Sequence, residues 1–377
     1  MKYLLSFLIS LTIIARHYPQ AKVSGIDKIV NLTYNCQFDE AVKALDKIQQ
    51  NGSSAIDCQY LKGMIGYRKA KYYERFMRSE AEINKVKLLY EEAYFDLRKS
   101  AAICDDILNK NPSDTAALFY AGAAYGYIGM CHVKKGEMYA AAREGKKGLD
   151  YHDKLISLCP KWTDVYLSRG IFNYYASNVP WYLKPILWIL GRSGDEKKAY
   201  EYLKYVADNG HFAKYEAMEF LIEYFIEKKQ NSSIENMYNR LMNILPGSRY
   251  YYGTMLGFYA LGNTGFDFYI TVFNSIASKI SPKADDEERY QMGVLYILSA
   301  NYYMNRKEYS RAIEYWDKLI NIKYLKNEEA WLHTALGDTF AKNNNKKEAI
   351  SSYRWVIDNA GNEKEKQKAR EKLAQLN

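Results

Sequence analysis

Apolar and polar positions in this chain recur with the spacing of a helix, and the pattern itself repeats. Residues 296–320 overlie residues 333–357 at a constant offset of 37. Tyr296 meets His333, Ala300 meets Gly337, and Tyr303 meets Phe340. Ala312 and Ile313 meet Ala349 and Ile350, Trp316 meets Tyr353, and Leu319 and Ile320 meet Val356 and Ile357. Small residues stand where two helices must approach closely, and aromatic residues stand where side chains fill the space between them. That arrangement predicts a repeated helical hairpin. Near the other end, Phe38, Ala41, Leu45 and Ile48 have the spacing of Tyr309, Ala312, Trp316 and Leu319.

The middle of the chain follows the same order with looser spacing. Asn111, Pro112, Ser113 and Asp114 end one helix and cap the next, which carries Gly122 and Tyr125. Cys159 and Pro160 end another, and Thr163 or Asp164 is expected to cap the helix carrying Gly170 and Asn173. Leu245, Pro246, Gly247 and Ser248 repeat the break before Leu256 and Gly257. Asp, Ser and Thr satisfy the free amides of a helix start, and Pro or Gly stops the preceding helix. The reading is all-α: a right-handed α-solenoid of about seven or eight hairpins over residues 22–377. No run of residues sustains strand alternation. Residues 361–377 predict a charged capping helix with Ala369, Leu373 and Leu376 inward. The hairpin between Gly122 and Pro160 is stretched, which lengthened helices absorb.

A second stretched hairpin holds Pro180 to Gly191, PWYLKPILWILG, inside an insert at 176–194. Pro185 suits a first helical turn, where its missing amide costs little. Trp181, Leu187 and Trp188 are candidate membrane or lid residues. The run is far shorter than the roughly 20 residues that span a bilayer. A structural plug, a groove-lining cap and a membrane-surface contact all remain open readings. Asp195 is an N-cap for a helix from Glu196 to Asp208 that Gly210 ends, with Ala199, Leu203 and Val206 packed inside.

Two resemblances follow from these motifs. Leu336, Gly337 and Phe340, with Ala349 and Tyr353 after a nine-residue gap, resemble the tetratricopeptide-repeat (TPR) pattern. Gly170-Ile-Phe-Asn173, the prolines at 180 and 185, the apolar run and Gly191-x-x-Gly194-Asp195 look like a block in eukaryotic TPR proteins of the Iml2 and tetratricopeptide-repeat-39 type. Those relatives imply an adaptor-like, non-enzymatic role. This chain departs from them in its start and its length, so the resemblance implies architecture and not a cellular role.

Composition adjusts this picture. The chain has 377 residues, 48% of them apolar, so a large core is available and global disorder is excluded. It has only 7 prolines, which favours long helices. It has 37 tyrosines, whose apolar body and polar tip suit half-buried helix faces. The net charge is +9, but Lys and Arg are interleaved with Glu and Asp, as on solvated helix faces and unlike a nucleic-acid track. Residues 1–21 combine Lys2 with an apolar run from Leu4 to Ala15, which reads as a secretory signal with an imperfect cleavage site. An exported chain is expected; an uncleaved anchor through residues 4–15 or a buried first helix are the alternatives.

Candidate chemistry is sparse. Cys36, Cys58, Cys104, Cys131 and Cys159 have no CxxC spacing; Cys36 with Cys58 is the pairing an oxidising compartment allows. His132 beside Cys131, with His152 later, is a weak metal candidate, and His333 occupies a packing slot. No HExxH, phosphate loop or Gly-x-Ser-x-Gly occurs. Asn31, Asn51 and Asn231 begin N-x-S/T triplets of the kind chance supplies in an Asn-rich chain. No cofactor or metal is expected.

The sequence therefore points to a non-enzymatic TPR-type scaffold that binds a protein or peptide on the face lined by the first helix of each hairpin. Tyr127, Tyr174, Tyr175, Tyr251, Phe258, Asn301, Asn305, Trp331 and Asp338 are its candidate contacts, the polar ones because they stand among aromatic neighbours. The alternatives are a membrane-peripheral protein using residues 180–191, and an enzyme with a deep pocket of convergent titratable groups.

Overall fold

The structure, a computed structural model, describes residues 24–74, 80–178, 194–246, 248, 250–251, 254–255, 286–322 and 329–376. The described residues are all-α. They form fifteen helices and a single turn of 3-10 helix, with no strand. The contacts divide the chain into two compact units, residues 1–248 and 249–377.

Unit 1 contains five hairpins, each a pair of consecutive helices in mutual contact. They are α1 (Ser24–Tyr34) with α2 (Phe38–Gln50), α3 (Ala55–Glu74) with α4 (Glu80–Lys110), and α5 (Thr115–Lys134) with α6 (Met138–Leu158). Next come α7 (Tyr166–Asn178) with α8 (Glu196–Asn209), and α9 (Lys214–Glu227) with α10 (Asn231–Ile244). Unit 2 contains α11 (Asp286–Asn305) with α12 (Tyr309–Asn321), α13 (Glu329–Lys342) with α14 (Lys346–Asn359), and the capping helix α15 (Glu363–Ala374). The helical-repeat architecture expected from the sequence is present.

One turn recurs in five of these hairpins. It has three residues, and the middle one has positive φ: Cys36 (63°), Gly136 (74°), Lys229 (55°), Lys307 (62°) and Asn344 (60°). Each time the third residue returns its amide to a carbonyl five residues back, as Gln37 to Leu32 and Asn345 to Phe340, both at 2.9 Å. The middle residue's own amide bonds three residues back, as Cys36 to Thr33 at 3.1 Å. This pair of bonds satisfies carbonyls that a helix end would otherwise leave open.

Small residues do what their spacing predicts. A Cβ added at Gly122 would lie 2.1 Å from the His152 ring, and one at Gly337 would lie 2.6 Å from the Tyr353 ring. Only glycine lets these helices approach so closely. The stretch from Gly122 to Pro160 is absorbed by long helices, of 20 residues for α5 and 21 for α6, against 13 or 14 in α12 to α14. The α3–α4 hairpin is longer still, with 31 residues in α4, and its spacing was not legible in the sequence. Asp114 and Asp195 cap their helices as expected, accepting from Ala117 N at 2.8 Å and Lys198 N at 3.1 Å.

Two expected caps act elsewhere. Asp164 lies in the 3-10 turn before α7 and accepts the amides of His211, Phe212 and Ala213 at 2.8–3.2 Å, so it ties α7 to the start of α9. Ser248 donates its hydroxyl to the Tyr34 carbonyl at 2.9 Å, beyond its own neighbourhood. All five cysteines are free, Cys36 and Cys58 included.

Ser248 belongs to a set of contacts that joins the first two hairpins of unit 1 to the fifth. The Arg68 guanidinium on α3 forms a two-pronged pair with the Glu219 carboxylate on α9, at 2.8 and 2.5 Å. Lys71 reaches the same carboxylate at 2.8 Å. Arg68 also lies 4.3 Å from the Tyr34 ring centre, and Tyr34 packs on Tyr215 at 4.7 Å. His211 meets Asp27 at 3.2 Å. The five hairpins thus bring their ends into contact.

Candidate functional site

Those contacts enclose a cavity of about 420 Å³ on the inner face of unit 1. The first helix of every hairpin lines it: Val30 on α1, Tyr60 and Met64 on α3, Tyr127 on α5, Tyr175 on α7 and Phe220 on α9. Only one second helix, α6, contributes, from Met138 to His152. The wall is overwhelmingly apolar. Val133 and Met138 at the α5–α6 turn, and Tyr175 and Asn178 at the end of α7, line the cavity and are also exposed, so it opens along that edge.

Gly126 and Gly145 line this space, and a Cβ at either would meet nothing within 4 Å. Helix-interior glycine costs roughly 0.5–1 kcal/mol relative to alanine. No close approach explains these two, in contrast to Gly122. Their effect is to keep the cavity open.

Of the imidazole and carboxyl side chains that face the cavity or underlie it, three are saturated within the chain, and the lining cation, Lys146, pairs with Asp150 at 2.6 Å. His152 Nε2–H donates to the Phe119 carbonyl at 2.9 Å, and Nδ1 lies 2.9 Å from the Ser168 hydroxyl. Burial pushes its pKa down to about 4, so the ring is neutral at pH 7. Asp164 holds three backbone amides; burial raises its pKa and those amides oppose the rise. Burial works to raise Glu219, but the charges of Arg68 and Lys71 outweigh it and hold the carboxyl well below its ordinary range.

Glu216 is different. It lies deep in unit 1 yet keeps accessible surface, and that surface opens into the cavity. Its Oε2 accepts from the Tyr127 hydroxyl at 3.0 Å. Burial raises its pKa, with Arg68 opposing and Glu219 reinforcing.

The Ser168–His152 pair is poorly built for acid–base chemistry. It has no carboxylate behind the ring, and a base titrating near 4 is mismatched to neutral pH. The Ser168 hydroxyl is also within 2.9 Å of the Val165 carbonyl. Among the described residues no group of three His, Cys, Asp or Glu side chains could hold a metal. His132 instead pairs with Glu137 across the α5–α6 turn, and His333 stacks on Trp355 at 3.8 Å.

The expected contact residues fall in several places. Tyr127 and Tyr175 both line the cavity. Tyr174 is buried and gives its hydroxyl to Glu227 at 2.8 Å, and Tyr251 is buried in unit 2. Asn301, Asn305 and Trp331 are exposed in unit 2, Trp331 with its ring edge-on to Trp316 at 5.8 Å. Asp338 finds its partners inside the chain, Tyr353 at 2.7 Å and Lys372 at 2.6 Å, so it locks α13 to α14 and α15. Trp181, Leu187, Trp188 and Phe258 lie outside the described residues, as do residues 1–21. Among the described residues no helix is long and apolar enough to cross a membrane.

Sequence reasoning missed Glu216, Glu219, Arg68 and the open glycines. One trace existed. The acids at 216, 219 and 223 form a stripe on an otherwise apolar helix, and Arg68 and Lys71 form a matching basic pair three residues apart. Such a stripe reads as a solvated face until its partner helix is known.

No family model matches the chain, and no curated protein matches it. Among solved structures, yeast Tom70 is similar over 93% of this chain and 82% of its own, at 14% identity and a TM-score of 0.34. Human IFIT1, in a dimer with m7Gppp-AAAA, is similar over 93% of this chain and 84% of its own, at 13% identity and a TM-score of 0.34.

Proposed function

We propose that this chain is a non-enzymatic helical-repeat binding protein whose unit 1 holds an apolar ligand on its inner face. The carrying observation is the cavity: five first helices converge on one apolar space, and Gly126 and Gly145 leave it unfilled. A volume of about 420 Å³ is within the usual range for ligand sites. Filling it tests the reading. Gly126→Met and Gly145→Met should retain helicity and abolish uptake of an apolar fluorescent dye that the unaltered chain binds. Equal dye binding by the filled variants would sink the proposal.

A second reading, a scaffold for a protein or peptide partner, is favoured by Trp331. This large aromatic side chain stays 39% exposed on the first helix of a unit 2 hairpin, with Asn301 and Asn305 exposed on the first helix of the preceding one. An exported location is part of this proposal and rests on residues 1–21 alone. Affinity purification from the native host, with Trp331→Ala as the comparison, tests the partner; a partner equally retained by that variant would remove unit 2 from the reading.

A further inference from the structure

The cavity has an apolar wall and two carboxyl groups in its lining; three backbone amides take up Asp164, so Glu216 is the one left to a ligand, and together these specify the ligand more narrowly. Along α5 the lining runs from Phe119 to Val133, about 21 Å at the rise of an α-helix. The space is therefore long. Tyr127, which bonds Glu216, stands near the middle of that run.

Glu216 accepts a hydrogen bond from Tyr127, and a carboxylate can accept several more. Among the described residues no cation lies within ion-pair distance of it. Arg68 and Lys71 are the nearest positive groups, and both are engaged by Glu219. A buried carboxylate in this condition is complementary to a donor that brings its own positive charge. A ligand carboxylate would meet repulsion there. A peptide backbone drawn into the same space would leave its amides and carbonyls against an apolar wall.

We infer that the cavity of unit 1 takes a linear aliphatic amine, its ammonium group paired with Glu216 and its alkyl chain lying along α5. The inference rests on the cavity being a binding site, as proposed above.

Protonation adds a dependence on pH. The groups around Glu216 are Tyr34 on α1, Tyr60, Arg68 and Lys71 on α3, Tyr127 on α5, Tyr175 on α7, and Glu219 and Glu223 on α9. Burial keeps the four tyrosines neutral through the ordinary range, and Glu219 stays ionised. Glu216 itself, Glu223 two turns further along, and Asp164 are the carboxyls around the cavity with raised pKa, burial being the first cause in each. As pH rises through the range of Glu216 its charge appears, so amine affinity should rise with it.

The test uses the full chain and three probes of one length: n-decylamine, n-decanol and n-decanoate, measured by calorimetry at pH 8. The amine should bind at least about tenfold tighter than the alcohol, the scale of one charged hydrogen bond. The carboxylate should bind more weakly than either. Glu216→Gln should bring amine and alcohol within about twofold, while Glu223→Gln should leave the preference intact. If Glu216→Gln fails to fold, the unaltered chain still decides: amine affinity must rise as pH is raised from acid towards pH 8 while alcohol affinity stays flat. Equal binding of amine and alcohol, or preference for the carboxylate, overturns the amine inference and leaves the cavity reading standing. Binding of none of the three overturns both.

Discussion

Single residues in this chain are held against their own preference in ways that can be measured. Lys229 and Lys307 occupy left-handed backbone at φ 55° and 62°, a conformation disfavoured for residues with a Cβ. Lys307→Gly should therefore stabilise unit 2 by roughly 0.5–1 kcal/mol, read as a higher urea midpoint with unchanged slope. Unchanged or lower stability would show that the turn carries no strain. The helix glycines divide by what surrounds them. Gly126→Ala should stabilise by roughly 0.5–1 kcal/mol, because its Cβ enters open space. Gly122→Ala should destabilise, because the His152 ring stands in the way. His152 adds a dependence on acid. Its folded pKa is about 4 against an ordinary 6.5, so both states are neutral above 6.5. As pH falls from 6.5 towards 4 the unfolded chain takes up a proton that the folded one refuses. The fold loses up to about 3 kcal/mol in that window. Denaturation at pH 7 and pH 4.5 should show His152→Gln losing less stability between the two than the unaltered chain does. A matching loss would refute the assignment.

At the scale of helices, what was legible depended on how local its cause is. Asp114 and Asp195 were readable as caps because their partners are the next three residues. Gly136 and Asn344 suit the turn position because both tolerate positive φ. Cys36, Lys229 and Lys307 fill the same position without that tolerance; there the two-helix packing decides and local preference yields. Asp164 was misjudged because its partners are 47 to 49 residues away. The Arg68–Glu219 pair spans 151 residues and left only a charge pattern on two helices. That pair allows a test of what closes unit 1. Arg68→Met should cost about 3–5 kcal/mol, because it strips a buried carboxylate of its main partner. Arg68→Met with Glu219→Leu should recover much of the loss. A double variant as unstable as the sum of the two single changes would mean the pair is not one interaction.

For each unit as a whole, the sequence could specify the hairpin but not the curvature. The 37-residue offset and the small residues determine how two helices pack. Which first helices meet across the inner face depends on a small rotation accumulated over five hairpins, and no residue spacing encodes that sum. The cavity, Glu216 and the saturation of His152 all depend on it. The same closure changes how unit 1 should open. In a linear array each repeat touches only its neighbours, so the terminal repeat frays first. Here α1 is held by Tyr215 and by Ser248, and α3 by Glu219, so the first hairpin has partners on two sides. Amide exchange followed by mass spectrometry should find α1 nearly as protected as α5. In Arg68→Met, protection should fall selectively in α1, α3 and α9 and persist in α5 and α6. Fast exchange of α1 in the unaltered chain would mean that unit 1 behaves as an open array, and that the cavity lacks the fixed wall a selective ligand site requires.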